Sequence, residues 1–72
     1  MNLLELGEQI KQARKERGLT QEALAKKAHI SRATLSKLEN GHIAQISVVT
    51  LNDILNHIGY ELDITPLNPF AS

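Results

Sequence analysis

One short unit recurs three times along this chain: an apolar residue, a hydroxyl residue, and a second apolar residue four places after the hydroxyl. It appears as Leu19-Thr20 with Leu24, Ile30-Ser31 with Leu35, and Ile46-Ser47 with Leu51. A Ser or Thr just before a helix accepts a hydrogen bond from a free N–H of the first turn. Apolar residues on either side of that cap clasp each other as a hydrophobic staple. The unit therefore predicts helix starts at Thr20, Ser31 and Ser47. Their close spacing within 72 residues leaves room only for short helices and tight turns around one modest core, in a single small domain.

The rest of the pattern completes the outline. Leu3, Leu6, Ile10 and Ala13 form one stripe at helical spacing, so a further helix comes first and closes at Arg17-Gly18. The helix opened by Thr20 is expected to end near Ala28, and the one opened by Ser31 at Asn40-Gly41. The last ends at Gly59, with Val48, Leu51, Ile54, Leu55 and Ile58 on one face. Beyond Gly59 the period changes to two: Tyr60, Leu62 and Ile64 alternate with Glu61, Asp63 and Thr65 until Pro66. A strand needs a ladder for its backbone groups, and the chain shows no second strand signal. The expected fold is mostly α: four helices of helix-turn-helix type, then a strand over residues 60–65 that pairs with its copy across a dimer. Residues 1–66 make the domain and 67–72 a flexible tail. A frayed extended segment is the alternative for the strand itself.

Composition excludes several chemistries. The chain has no cysteine, which rules out disulfides, thiolate metal sites and thiol catalysis. Small domains lean on such staples or on a partner, so a homodimer is the simplest remaining support. His29, His42 and His57 are scattered, with no helical pair, and predict no metal site and no cofactor. There is no nucleophile elbow, glycine-rich loop or paired carboxylate, and the chain is expected not to be an enzyme. Apolar runs are far shorter than the ~20 residues a membrane helix needs. The start lacks a basic region followed by an apolar one, so a cytoplasmic, nucleoid-associated protein is expected.

The formal net charge is zero, yet all eight Lys and Arg lie between Lys11 and Lys37. Between residues 11 and 40 the only acids are Glu16, Glu22 and Glu39. The block fits either an anionic partner or a solvated helical surface. Lys11, Lys15, Lys26 and Lys27 belong to that surface and raise the local potential.

The helix pair from Thr20 to Asn40, joined at Ala28-His29-Ile30, is a helix-turn-helix pattern. With Leu35 and Leu38 facing inward, Arg32, Ala33, Ser36 and Lys37 point out of the second helix. Arg grips guanine O6 and N7, Ala meets a thymine methyl, and Lys reaches guanine or phosphate. Thr34 suits a base edge or the backbone. Gln21 and Asn40, at the ends of the pair, offer amide donors to phosphates, which position the protein without reading sequence.

The residues Leu19-Thr20-Gln21-Glu22-Ala23-Leu24-Ala25, followed by Ile30-Ser31-Arg32-Ala33-Thr34-Leu35-Ser36-Lys37-Leu38-Glu39-Asn40-Gly41, resemble the Cro/C1-type (XRE) helix-turn-helix domain. The likeness covers about residues 5–59. It implies a compact helical domain that binds double-stranded operator DNA as a dimer. By position it implies phosphate contacts for Gln21 and Asn40 and a cap near the backbone for Ser31. It also implies base-facing roles for Arg32, Ala33 and Lys37, and an ion pair between Arg14 and Glu39. From the residues alone, Arg14 and Glu39 fit surface charges equally well.

The chain departs from phage repressors in two places. His42-Ile43-Ala44-Gln45 stands where many of them carry basic residues, and the strand replaces their fifth helix. A helical domain with a dimerising strand is similar in architecture to HipB-like antitoxin regulators. That likeness implies a repressor that autoregulates its operon and neutralises a HipA-like toxin, with Tyr60, Leu62 and Ile64 at the dimer contact. The alternatives are a stand-alone phage or plasmid-type repressor and a protein-interaction module without specific DNA binding.

Overall fold

The computed structural model describes residues 2–42 and 46–67. They form four helices: α1 (Leu3–Glu16), α2 (Gln21–Lys27), α3 (Arg32–Glu39) and α4 (Val48–His57). Each begins at a side chain that accepts from the N–H three residues on: Asn2 from Glu5, Thr20 from Ala23, Ser31 from Thr34 and Ser47 from Thr50. Leu19, Ile30 and Ile46 lie half-buried against the core that holds Leu24, Leu35 and Leu51. Half-burial of all three apolar residues ahead of the caps is what the staple pattern predicts.

The ends are equally regular. In every helix the second residue past the cap donates back to a carbonyl five residues earlier: Leu19 to Arg14, Ile30 to Ala25, His42 to Lys37 and Tyr60 to Leu55. The residue before it, in left-handed conformation, donates to the carbonyl three back, which completes a Schellman closure four times over. Gly18, Gly41 and Gly59 supply three of these left-handed positions, and His29, at φ 56°, supplies the fourth. A side chain at positive φ is strained unless it is glycine. The turn between α2 and α3 therefore stores a small cost.

The core is one cluster, with Ile10, Leu24, Leu35, Leu38, Ile54 and Ile58 almost wholly enclosed. Close packing joins α2 to α3, α1 to α3 and α2 to α4. The α1–α3 crossing is made at Gly7, where a Cβ would lie 2.6 Å from the Glu39 carbonyl oxygen and 2.7 Å from that of Leu38. Backbone meets backbone there, which only glycine permits.

Two stripe residues are not where the sequence places them. Leu3 is 54% exposed and Val48 72% exposed. Each is the first residue of its helix, a full turn ahead of the point where the stripe meets the body. Leu6 and Leu51 are the first residues of each stripe to pack.

No strand occurs among the described residues. Residues 60–67 run on past the Gly59 closure without a ladder, as one chain with no second strand to pair with must. The Leu62 N–H donates to Asn52 Oδ1 on α4 at 2.9 Å. Of the expected tail 67–72, only Leu67 lies within the described residues, and it is exposed.

Candidate nucleic-acid interface

α3 has two faces with different chemistry. Its inner face buries Leu35, Leu38 and Glu39. Its outer face exposes Arg32, Ala33 and Lys37, with Thr34 and Ser36 at the margins and half-buried. The helix has eight residues, too few to form reliably alone. Its position rests on the cap at Ser31, the closure at Gly41, the two leucines and one ion pair.

That ion pair sets the geometry of the site. Arg14 Nε donates to Glu39 Oε2 at 2.7 Å, and Arg14 Nη2 donates to Glu39 Oε1 at 3.1 Å. The third guanidinium nitrogen, Nη1, donates to the Leu19 carbonyl at 2.7 Å. Arg14 is 7% exposed and Glu39 3%. A buried charge is tolerable only when paired and fully hydrogen-bonded, and no buried side-chain nitrogen or oxygen among the described residues lacks a partner. The pair therefore ties α1, the start of α2 and the end of α3 to one point. The forked, two-bond geometry is available to arginine and not to lysine.

Glu39 also holds a residue of the candidate interface. Gln21, the first residue of α2, donates from Nε2 to Glu39 Oε1 at 3.1 Å. The Gln21 amide is thus oriented from behind, with one N–H spent inward and the other left to donate. Asn40 is tethered in the same manner: its Nδ2 donates to the Ser36 carbonyl at 2.9 Å. Ser31 Oγ lies 2.8 Å from Thr34 Oγ1 and accepts from the Thr34 N–H at 3.0 Å. Ser31 and Thr34 are engaged locally, whereas Arg32 and Lys37 form no ion pair among the described residues. The expected site residues fall on one helix and its two flanks, except Gln21, which the ion pair brings in from α2.

Several contributors carried little sequence signal. Gly7 stands in mid-helix, where glycine marks close approach as readily as a weak spot. Asn2 has a legible cue, an Asn with Glu5 three residues later: Asn2 Oδ1 accepts from the Glu5 N–H at 2.8 Å, and Asn2 Nδ2 donates to Glu5 Oε1 at 3.2 Å. Asn52, which holds the Leu62 N–H, has none. It is one polar residue in a helix. Among the described residues no three His, Cys, Asp or Glu side chains converge on a metal-sized site, and no helix is long and apolar enough to cross a membrane.

Residues 10–64 match the family described as Helix-turn-helix. The chain belongs to that family. The match runs from the middle of α1 past the end of α4 and supports the XRE-type likeness read from the Thr20–Gly41 residues. A protein named "Putative antitoxin HigA2" from Mycobacterium tuberculosis is 39% identical over 56 residues, covering 78% of this chain and 55% of that protein. A solved structure of a SinR protein/SinI protein complex contains a chain that superposes with a TM-score of 0.69 at 30% identity, over 78% of this chain and 54% of that one. This chain therefore spans about half the length of each relative. Family and fold are those of DNA-binding transcription regulators rather than of enzymes.

Proposed function

We propose that the chain is a sequence-specific repressor that reads duplex operator DNA with the outer face of α3. The observation that carries this reading is the division of α3 itself: an inner face locked by a buried ion pair, and an outer face that exposes Arg32, Ala33 and Lys37, with no ion pair for either cation among the described residues. Arg32 is the guanine reader, Ala33 the thymine-methyl contact and Lys37 a second guanine or phosphate contact. Ser36 and Thr34 lie where short hydroxyls meet base edges or sugars. Gln21 and Asn40 point their spare amide N–H groups to phosphates on either side, with Ser31 beside the backbone.

In this reading the protein acts as a symmetric homodimer joined by residues 60–65, with Tyr60, Leu62 and Ile64 on the apolar face of a shared two-stranded ladder. The exposure of all three in the single chain supports it, and such a joint would have to set two reading helices ~34–36 Å apart, the separation of paired half-sites on one side of the duplex. The relative named as an antitoxin supports a further role: neutralising a toxin while repressing its own operon. A HipA-like identity for that toxin rests on architecture alone, and the relative bears the HigA2 name instead. The reading places the protein in the cytoplasm on the nucleoid.

Selection from a random pool of duplex DNA, followed by salt titration of the winner, tests the repressor reading. A palindromic winner is expected, with log K falling against log salt by about 0.9 for each phosphate neutralised. Binding without sequence preference overturns the base-reading assignment. Co-expression of the neighbouring gene product, with growth as the readout, tests the antitoxin role.

A further inference from the structure

We infer that the dimer strand pairs through one edge only, that of Glu61, Asp63, Thr65 and Leu67, and in one register, with Ile64 at the two-fold axis. This rests on the dimer reading above and adds its geometry.

The edge follows from the backbone. In an extended chain, successive N–H groups point to opposite edges. On the even edge the Tyr60 N–H donates to the Leu55 carbonyl at 2.8 Å. The Leu62 N–H donates to Asn52 Oδ1 at 2.9 Å, and the Ile64 N–H to Asp63 Oδ1 at 2.8 Å. The next even residue, Pro66, has no N–H. Nothing on that edge is left to donate, and its first two groups face α4. The odd edge is the reverse: the N–H groups of Glu61, Asp63, Thr65 and Leu67 make no hydrogen bond among the described residues. Pro66 therefore leaves the open edge intact, as a proline tolerated beside a ladder must.

The register follows from charge. A two-fold pairing along the odd edge sets odd residues against odd residues. Centred on Leu62, it puts Glu61 against Asp63 twice. Centred on Asp63 or Glu61, it puts that acid against its own copy. Like charges directly opposite each other destabilise a ladder. Centred on Ile64, Asp63 faces Thr65 and Glu61 faces Leu67, so no acid meets an acid and the ladder runs its full length from 61 to 67. Centred on Thr65, the ladder is shorter and sets Glu61 against Pro69, which has no N–H to give. In the Ile64 register two copies of Ile64, 97% exposed in the single chain, cover each other. The apolar face continues onto the exposed Val48, which shares a groove with Leu62 and Ile64.

The absence of cysteine makes the test clean. Single variants Ile64→Cys, Leu62→Cys and Asp63→Cys are made in the full chain, oxidised with diamide and run on non-reducing gels, with sedimentation giving the oligomeric state. Opposed residues of a non-hydrogen-bonded pair have Cα atoms ~4.5 Å apart, within disulfide reach. Ile64→Cys is expected to cross-link to itself. The two copies of Leu62 would stand about four residue rises apart, ~13 Å, and Leu62→Cys should remain monomeric on the gel. Independently, Thr65→Lys would face Asp63 twice and should tighten the dimer roughly two- to thirtyfold. A dimer that cross-links best at Leu62→Cys or Asp63→Cys, or that ignores Thr65→Lys, keeps the dimer reading and overturns the register. A dimer that none of the three variants traps overturns the register, and one that also survives Thr65→Pro overturns the edge. A chain that sediments as a monomer at every concentration ends the dimer reading and this one with it.

Discussion

The helical body and the C-terminal segment treat their backbone groups in opposite ways. In the body, each helix has a side-chain cap at its start and a Schellman closure at its end. In residues 60–67, one edge is satisfied against α4 and against a neighbouring carboxylate, while the N–H groups of the other make no hydrogen bond among the described residues. The body is a finished unit whose stability lies in its own core and ion pair. The segment leaves donors unused. Apolar residues follow the same division, since Ile54 is fully enclosed while Ile64 is almost fully exposed.

This contrast can be broken at its strongest point first. Glu39→Ala leaves Arg14 buried without its counter-charge, and the expected loss is about 3–5 kcal/mol of folding stability, read by urea unfolding. For so small a domain that is enough to unfold much of the population. If the variant melts with the wild type, the ion pair is not what fastens α3. Next, Gly7→Ala gains ~1 kcal/mol of helix propensity but drives a methyl group against two carbonyl oxygens. A net destabilisation of about 1–3 kcal/mol is expected, and an unchanged melting temperature would show that the α1–α3 contact is looser than backbone on backbone.

The outer face of α3 gives the converse test. Arg32→Ala should leave unfolding unchanged and weaken binding to the selected operator by about 1–3 kcal/mol, with relaxed preference at one base pair. A uniform loss on all sequences would reassign Arg32 to phosphate. His29→Gly relieves the left-handed strain and should stabilise the body by about 1 kcal/mol, seen as a higher melting temperature. Smallest of all for the body is Thr65→Pro, which removes a donor from the open edge. Its thermal unfolding at dilute concentration should match wild type within ~0.5 kcal/mol, while sedimentation reports loss of the dimer. A large drop in monomer stability would mean that the segment is part of the body after all.

What was legible in the sequence follows the same line. Helix starts were readable because caps and staples are local: Thr20, Ser31 and Ser47 announce themselves within five residues. Glycine marked three of the four ends; the end of α2 falls at Ala28 as expected, but the left-handed role of His29 beside it was not legible because it comes from conformation rather than residue type. Burial at the first turns was misread at Leu3 and Val48, since a stripe says which face turns inward but not where along the helix the body begins. The Thr20–Gly41 pattern pointed to the outer face of α3. The tether from Glu39 to Gln21 was not readable, because it joins residues from two helices that only the fold brings together. The period of two after Gly59 marks an alternating face, while the question of which edge is open depends on Asn52 and Leu55, residues of another element.

The anchoring of α3 has a consequence for how such a protein can change. Its inner face, cap and closure hold it, and the side chains of Arg32, Ala33 and Lys37 take no part in that work. In the proposed reading of duplex DNA by α3, fastening and reading are written in separate letters of the same eight-residue word. The reading letters are free to drift, or to be randomised in a library, while the scaffold that presents them stays the same. A new target site would then cost the lineage a few surface substitutions rather than a new fold.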